Sequence, residues 1–384
     1  MQSHSDADLD PGAVVGPYQI VRTLGVGAMG AVYEATHARH GERVALKVLH
    51  ADLAASEEVR TRFVREGRHA TQVRHPHVAE VRGVGESYGR HYLVLEYLEG
   101  ESLEERITRA GRFDVAPLVA LALPVCAALA AVHAAGIVHR DIKPANVFLA
   151  RGPDGAIEPK VLDFGISKAT RSQSAEITAA STTLGTPQYM SPEQTRGARH
   201  VDARTDQYAL GVLLYECSTG RLPFDADEVY SLMVAVHRGE FQPPRAVRPD
   251  LPAAFEAVVL RAMARDADAR FPGVISLGQA LLPFATEATR ARWALEFNAG
   301  SHDAPTLRPP APDTGDGGDP GDLADADIDL GASSTLRGDD LAAALGESPR
   351  PPGDTPRGSR ETPPIATPIA PPRAPERSTA TTRS

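Results

Sequence analysis

The segment 139–146, with the sequence HRDIKPAN, carries polar side chains whose spacing suits a phosphoryl transfer. The carboxylate of Asp141 can accept the proton of an attacking hydroxyl, and Lys143 can neutralise charge on the transferring group. Asn146 offers an amide oxygen to Mg²⁺, and Asp163, which follows shortly after, can bridge the metal to phosphate oxygens. These residues predict a metal-assisted phosphoryl transfer.

A glycine-rich turn far upstream can hold the phosphates of a nucleotide. Gly25, Gly27 and Gly30 allow backbone N–H groups to approach phosphates where any Cβ would obstruct them. Lys47, on the next predicted strand, supplies a cation for the α- and β-phosphates, and Glu66, on a predicted helix, can pair with Lys47 and orient it. Taken singly, these are also features of an ordinary hairpin turn, an edge lysine and a surface glutamate. Their occurrence in the required order supports the chemical interpretation.

The elements that must position these residues are strands first and helices later. Alternating apolar residues around the glycine turn predict strand, loop and strand over 18–35, with further strands at 43–49 and 91–97 and a helix at 56–73. Beyond them the pattern predicts helices at 102–109, 114–135, 206–218, 229–238, 253–264 and 273–282. We therefore expect an α+β architecture, in which a small β-rich lobe joins a larger α-rich lobe near 96–100.

The composition excludes several classes of protein. A formal charge of −10 argues against non-specific nucleic-acid binding, and no Lys/Arg block suggests a membrane surface. Cys126 and Cys217 lie in apolar helical patterns without C-x-x-C spacing, which predicts buried reduced thiols and a cytoplasmic location. The N-terminal segment MQSHSDADLD lacks the features of a signal peptide.

The run 115–138 has 24 residues without a charge, enough to cross a bilayer. Pro117, Pro124 and His133 interrupt it, and it ends directly at the HRDIKPAN segment. We predict a buried core helix behind the active site and no membrane span, with a kink or displacement at Pro124.

Residues 301–384 contain no aromatic side chain and 15 of the chain's 32 prolines, which predicts a disordered Pro- and Asp-rich tail. Residues 301–340 carry ten acidic and two basic side chains, whereas 341–384 carry six basic and four acidic ones. A flexible linker followed by a segment that docks partners is the corresponding interpretation.

With SPE at 191–193 and DQYALG at 206–211, these motifs resemble the eukaryotic-like (Hanks-type) bacterial serine/threonine protein kinase family over about residues 18–285. Lys143 and the GTPQY segment at 185–189 are similar to the serine/threonine branch. The resemblance implies a bilobal protein-kinase fold that uses ATP and Mg²⁺, with Mn²⁺ as an alternative, and acts on Ser/Thr hydroxyls of proteins. The implied segments are a flexible N-terminus at 1–15, an N-lobe at 16–97, a C-lobe at 98–286, a C-terminal extension at 287–300 and the tail at 301–384.

The same resemblance implies the residues that bind the nucleotide. Leu24 belongs to the glycine loop, Leu95 is the gatekeeper, and Ser102 lies near the ribose. The side chains of Val32, Ala45 and Phe148 sandwich the adenine. The backbone groups of Glu96 and Leu98 hydrogen-bond it. Arg270 is expected to pair with Glu193.

An activation mechanism follows from Arg140, which precedes the catalytic Asp141. In the family such an arginine binds a phosphate on the activation segment, so we expect autophosphorylation there before full activity. The candidate acceptors are Thr182 and Thr183, followed by Thr178 and Ser181. A loop that is ordered without phosphorylation is the alternative.

Two other functions remain open at this point. One is a pseudokinase scaffold, although such proteins usually lack equivalents of Lys47, Asp141 or Asp163. The other is a small-molecule phosphotransferase of related fold, which would normally lack both the glycine triplet and the GTPQYMSPE segment.

Overall fold

The structure, a computed structural model, describes residues 9–152, 154–163, 187–195, 201–226 and 228–299. Its smaller lobe is built on one antiparallel sheet of six strands in the order β1-β2-β3-β4-β6-β5. The strands are β1 (Val14–Val15), β2 (Tyr18–Val26), β3 (Gly30–His37), β4 (Arg43–Leu49), β5 (Val81–Ser87) and β6 (Arg90–Glu96). The predicted strand, loop and strand around the glycine turn are confirmed as β2 and β3.

Side chains alternate between the two faces of this sheet, as the period of a strand requires. One face buries an apolar cluster that includes Tyr33, Leu46 and Val94. Against the other face packs helix α2 (Glu57–Ala70), which begins after Ser56, whose side chain accepts the Val59 N–H as an N-cap. The small lobe is therefore a sheet with a single large helix on its inner side.

The larger lobe is helical. The short helix α1 (Ala51–Ala54) belongs to the small lobe. The helices of the larger lobe are α3 (Leu103–Ala110), α4 (Val115–Ala134), α5 (Pro192–Thr195), α6 (Arg204–Thr219), α7 (Val229–Arg238), α8 (Pro244–Val247), α9 (Ala253–Ala262), α10 (Val274–Leu281) and α11 (Glu287–Ala299). Helices α4 and α6 lie at its centre and are buried along most of their length. They carry the two cysteines, Cys126 and Cys217, as buried free thiols, as predicted.

Helix α4 is the one helix in the described ranges that is long and apolar enough to cross a membrane, and 61% of its apolar stretch is buried inside the protein. It is the predicted core helix: Leu118, Leu123 and Leu129 contribute to the main apolar core. The helix continues through Pro124, which is itself buried. A kink there stays a prediction.

A second, small antiparallel sheet lies beside the segment 139–146. Its strands are β7 (Gly100–Ser102), β8 (Val147–Arg151) and β9 (Ile157–Val161), in that order. Val161 joins it to the small lobe, since its N–H donates to the His77 carbonyl at 2.9 Å and its carbonyl accepts the Ala79 N–H at 2.9 Å. The segment after α2 is thus anchored to the larger lobe.

Helix α11 lies in the predicted C-terminal extension at 287–300 and packs on the larger lobe. Phe297 is fully buried and Trp293 nearly so, and both belong to the main core. Trp293 also packs against His77, with ring centroids 5.4 Å apart. The residues after Ala299, including the predicted tail, lie outside the described part of the chain.

Candidate active site

The loop that links α4 to β8 is held by the fully buried carboxylate of Asp206 on α6. Its Oδ2 accepts the His139 backbone N–H and bonds His133 Nε2, each at 2.8 Å, and its Oδ1 accepts the Arg140 backbone N–H at 2.7 Å. Burial by itself raises the pKa of Asp206, but its hydrogen bonds and the neighbouring histidines hold that pKa below the ordinary value. Asp206 is an ionised anchor for the catalytic loop.

Three of the predicted catalytic and metal-binding residues converge in this loop. Asp141 Oδ2 lies 3.0 Å from Lys143 Nζ and 3.0 Å from Asn146 Nδ2. Asn146 Nδ2 also donates to the Asp141 carbonyl at 2.7 Å, across a short 3₁₀ helix at Pro144–Asn146. Because the amide nitrogen of Asn146 makes both bonds, the amide oxygen is left for the predicted cation.

The second predicted metal ligand, Asp163, directly follows a segment that is bonded to the catalytic loop. The Leu162 carbonyl lies 2.8 Å from His139 Nε2, and the Leu162 N–H donates to the Asn146 carbonyl at 2.9 Å. The two oxygen-bearing side chains therefore belong to one hydrogen-bonded unit. Their donor set suits a hard cation such as Mg²⁺, which takes few protein ligands and completes its shell with water and phosphate oxygens.

Two residues of this unit have backbone angles that residues other than glycine rarely adopt. Arg140 has φ of 64° and Asp163 has φ of 52°. Such left-handed conformations cost on the order of 1–3 kcal/mol each and cluster at functional sites. The Arg140 N–H is bonded to Asp206, and Leu162, which precedes Asp163, is bonded through both its N–H and its carbonyl. These hydrogen bonds restrain the two conformations.

The ion pair made by Lys47 differs from the predicted one. Lys47 Nζ lies 2.9 Å from Asp163 Oδ1, and among the described residues no ion pair joins Lys47 to Glu66. Asp163 is near enough to the ammonium group for an ion pair, whereas the charges that act on Glu66 are those of Arg62, Arg65 and Arg140. The pairing of Lys47 with Glu66 is thus absent from this conformation, and the predicted metal ligand takes its place.

Glu66 instead lies in a poorly solvated position on α2. Its Oε2 is buried without a hydrogen-bond partner in the described part of the chain, and so is Nε of Arg140. Burial raises the pKa of Glu66 to about 7, against the opposing charges of Arg62, Arg65 and Arg140. The carboxylate is therefore in an unsatisfied state that a cationic partner would relieve.

The three glycines of the loop are not all required for the same structural reason. A Cβ built on Gly25 meets no described heavy atom within 4 Å, and one on Gly27 meets only the Gly30 carbonyl, at 3.7 Å. A Cβ on Gly30 would lie 2.0 Å from the Val48 carbonyl oxygen. Gly25 and Gly27 leave space that a phosphate could occupy, whereas Gly30 is required by the close approach of β3 to β4.

Strand pairing brings the predicted adenine-binding residues side by side. Val32 pairs with Gly25 and with Lys47, and Ala45 pairs with Leu95. In the larger lobe Phe148 pairs with Ser102 on the neighbouring strand. Leu24 precedes Gly25 and is 40% exposed. Contact of these residues with a nucleotide stays a prediction.

The segment that joins the lobes is fixed at Glu96, whose side chain lies 2.8 Å from Lys160 Nζ and accepts the Glu80 N–H at 2.8 Å. Leu98 follows it in an irregular stretch. Ser102 has a structural role: its hydroxyl accepts the Glu105 N–H at 3.1 Å as the N-cap of α3, in a capping box. Its predicted position near a ribose is a separate question.

The predicted pair of Arg270 and Glu193 is confirmed. Arg270 Nη1 and Nη2 donate to the two oxygens of Glu193 at 2.7 and 2.8 Å. Although burial raises the pKa of Glu193, Arg270 brings it down to about 2. The predicted activation-loop acceptors Thr178, Ser181, Thr182 and Thr183 lie outside the described residues.

Sequence reasoning did not assign a site role to Asp206. The available signal was a carboxylate at the start of a helix whose next turns, QYALGVLLY, are almost entirely apolar. A charge in such a helix is expected to be paired, since an unpaired buried charge is costly.

A two-lobed fold with this catalytic loop defines a protein kinase, and residues 18–271 match the protein kinase domain family. The chain belongs to that family.

Its relatives include bacterial serine/threonine kinases. The serine/threonine-protein kinase Pkn1 of Myxococcus xanthus is 41% identical over 270 residues, which are 70% of this chain and 38% of Pkn1. PknH of Mycobacterium tuberculosis (strain ATCC 25618 / H37Rv) is 37% identical over 268 residues, 70% of this chain and 42% of PknH. The chain spans about two fifths of these relatives. The crystal structure of the M. tuberculosis PknI kinase domain is 31% identical, with a TM-score of 0.57, covering 72% of this chain and all of that one.

Proposed function

We propose that the chain is a protein-serine/threonine kinase, which transfers the γ-phosphate of ATP to Ser or Thr hydroxyls of protein substrates. The observation that carries the proposal is the convergence of Lys143 and Asn146 on the carboxylate of Asp141, each at 3.0 Å. The names of the curated relatives agree with it. A cytoplasmic location is part of the proposal, and the two free thiols support it.

In the proposed reaction the catalytic loop aligns and deprotonates the acceptor. Asp141 accepts the proton of the substrate hydroxyl as it attacks, and Lys143 offsets the negative charge of the transferring group. Lys47 holds the α- and β-phosphates. Mg²⁺, bound by Asn146 and Asp163, would neutralise charge on the phosphate oxygens, and Mn²⁺ is an alternative.

The pairing seen in the structure implies a rearrangement before catalysis. Lys47 and Asp163 neutralise each other at 2.9 Å, so neither is available to phosphate or metal while that pair persists. Glu66, with its unsatisfied oxygen, is the carboxylate that would accept Lys47 when Lys47 and Asp163 separate. The described conformation thus corresponds to a resting state in this proposal.

The direct test is phosphate transfer from radiolabelled ATP to a protein substrate pool. Asp141→Asn should lower turnover by about 10²- to 10⁴-fold, the usual contribution of general acid–base help. Asp163→Asn should lower it at least as much, because it removes the predicted metal ligand. Asp52→Asn, an exposed carboxylate on α1, is the matched control and should be unaffected. Unchanged turnover in Asp163→Asn would mean that the transfer measured does not come from this site, which would favour a pseudokinase scaffold.

We also propose activation by autophosphorylation of Thr182 or Thr183, with Thr178 and Ser181 as weaker candidates. A phosphate there adds about −1.5 to −2 charges and would bind the guanidinium of Arg140. The rate on an added substrate should fall after phosphatase treatment and be low in the Thr182→Ala/Thr183→Ala protein. Equal rates in treated, untreated and variant samples would exclude this switch.

A further inference from the structure

A buried carboxylate on β3 forms a charged network that the catalytic mechanism does not use. Glu34 is only 8% exposed at its side chain, and its oxygens lie 2.8 Å from Arg22 Nε and 2.9 Å from Arg43 Nη2. Burial by itself raises the pKa of Glu34, but Arg43 and Arg22 together bring it below its ordinary value. The carboxylate is thus ionised and holds two strands, β2 and β4, through their arginines.

The same carboxylate reaches the segment between the lobes. The hydroxyl of Tyr97 donates to Glu34 Oε2 at 3.3 Å and accepts a hydrogen bond from Arg22 Nη2 at 3.1 Å. The guanidinium of Arg43 lies over the Tyr97 ring, 4.1 Å from its centroid, and also bonds Glu99 at 2.9 Å. The tyrosine is therefore fixed at its hydroxyl and on one face of its ring.

The network lies on the face of the sheet that carries the predicted adenine-binding residues. Glu34 pairs with Ala45 in the ladder and is two residues from Val32, so the three side chains share one face. Tyr97 stands between Glu96 and Leu98, whose backbone groups are the predicted partners of adenine. A displacement of Tyr97 would displace both.

We propose that Glu34 is a positioning residue for adenine recognition, which acts through Tyr97 to preorganise the backbone of Glu96 and Leu98. The inference rests on the proposed function, because it assumes a purine nucleotide as ligand. Preorganisation lowers the ordering cost of binding, so loss of the network should weaken ATP binding and leave the chemical step intact.

The test compares Glu34→Gln and Tyr97→Phe with the wild-type full chain. Calorimetry with a non-hydrolysable ATP analogue should show a dissociation constant raised roughly three- to tenfold in each variant. The KM for ATP should rise in parallel, with kcat unchanged. Affinity for inorganic tripolyphosphate, which lacks adenine, should not change. Glu42→Gln removes an exposed carboxylate that lies just before β4 and pairs with Arg82 of β5, and it is the matched control.

The double variant separates a positioning role from a general loss of stability. If Glu34 acts through Tyr97, the double variant should have a dissociation constant for ATP no higher than the higher of the two single-variant values. Should Glu34→Gln melt below the assay temperature, Tyr97→Phe decides the question alone, since it keeps the ring over which Arg43 lies.

ATP affinity within twofold of wild type in folded variants, or equal weakening with tripolyphosphate, overturns the inference while the proposed function stands. Absence of both nucleotide binding and phosphate transfer in the wild-type chain overturns both.

Discussion

At the scale of one residue, Glu66 shows what it costs to ionise a carboxylate that is poorly solvated. Its pKa of about 7 lies above the ordinary value of 4.5, so between those two pH values the folded protein holds a proton that the unfolded chain releases. The stabilising effect of this protonation is fully present below about pH 4.5 and is lost as the pH rises through 7. Above pH 7 the folded state contains a poorly solvated carboxylate.

We therefore predict that Glu66→Gln raises the melting temperature at pH 8 and has little effect at pH 5. The amide has the shape of the protonated acid and no charge to desolvate. Thermal unfolding at both pH values is the measurement, with Glu58→Gln, an exposed residue of the same helix, as control. Parallel pH profiles for wild type and Glu66→Gln would show that Glu66 is ionised at no cost. Phosphate transfer from ATP by Glu66→Gln should still be impaired, because the amide cannot receive Lys47 as an ion pair.

At the scale of elements, α11 depends on a close contact with α10. A Cβ on Gly278 of α10 would lie 2.2 Å from Cε1 of Phe297, so the absence of a side chain there makes room for the aromatic ring. The Phe297 carbonyl also accepts a hydrogen bond from Gln279 Nε2. Trp293, one turn earlier, covers His77. This helix is thus part of the core and also touches the segment that follows α2.

Phe297→Ala should lower the free energy of unfolding by about 3–5 kcal/mol, the usual cost of removing a buried phenylalanine ring. Chemical denaturation of the variant and the wild type measures the difference. Leu295→Ala, on the same helix and 83% exposed, should change stability little and is the control. A cost below 1 kcal/mol for Phe297→Ala would mean that α11 is only loosely attached.

Elements with a regular apolar period could be predicted from the sequence, and those without one could not. The bounds of β4 and α7 match the predicted ones because their apolar residues recur at the period of a strand or helix. Strand β5 (VRGVGES) carries two glycines and β9 (IEPKV) a proline, both unfavourable in strands, so neither was predicted. Helix α11 was missed because its core contacts come from two aromatic residues four positions apart among charged ones.

The candidate site shows the same division. Asp141, Lys143 and Asn146 lie within six residues of each other, and a short 3₁₀ helix suffices to bring them together. The partner of Lys47, in contrast, depends on where α2 and Asp163 lie relative to the sheet. A local pattern does not determine the relative placement of whole elements, so the sequence predicted the candidates for the ion pair and the structure determined which one is formed.

For the whole molecule, the described core ends with α11, and the sequence beyond it has a composition unsuited to a core. A chain that ends at residue 300 should keep the catalytic rate and the melting temperature of the full chain. A chain that ends at residue 286 should melt lower, because it loses Trp293 and Phe297. Kinase assays and thermal scans of the three lengths measure this. Loss of folding in the 300-residue chain would show that residues 301–384 contribute to stability. Docking of partners by those residues stays a prediction.

The reactivity of the two buried thiols can report how often the larger lobe opens. Cys126 and Cys217 are the only cysteines of the chain, and burial raises the pKa of Cys126 to about 12 and that of Cys217 well above its ordinary value. Alkylating reagents attack the thiolate, so neither sulfur reacts while α4 and α6 remain packed. The rate at which such a reagent modifies the native protein therefore counts how often the centre of the larger lobe opens to solvent.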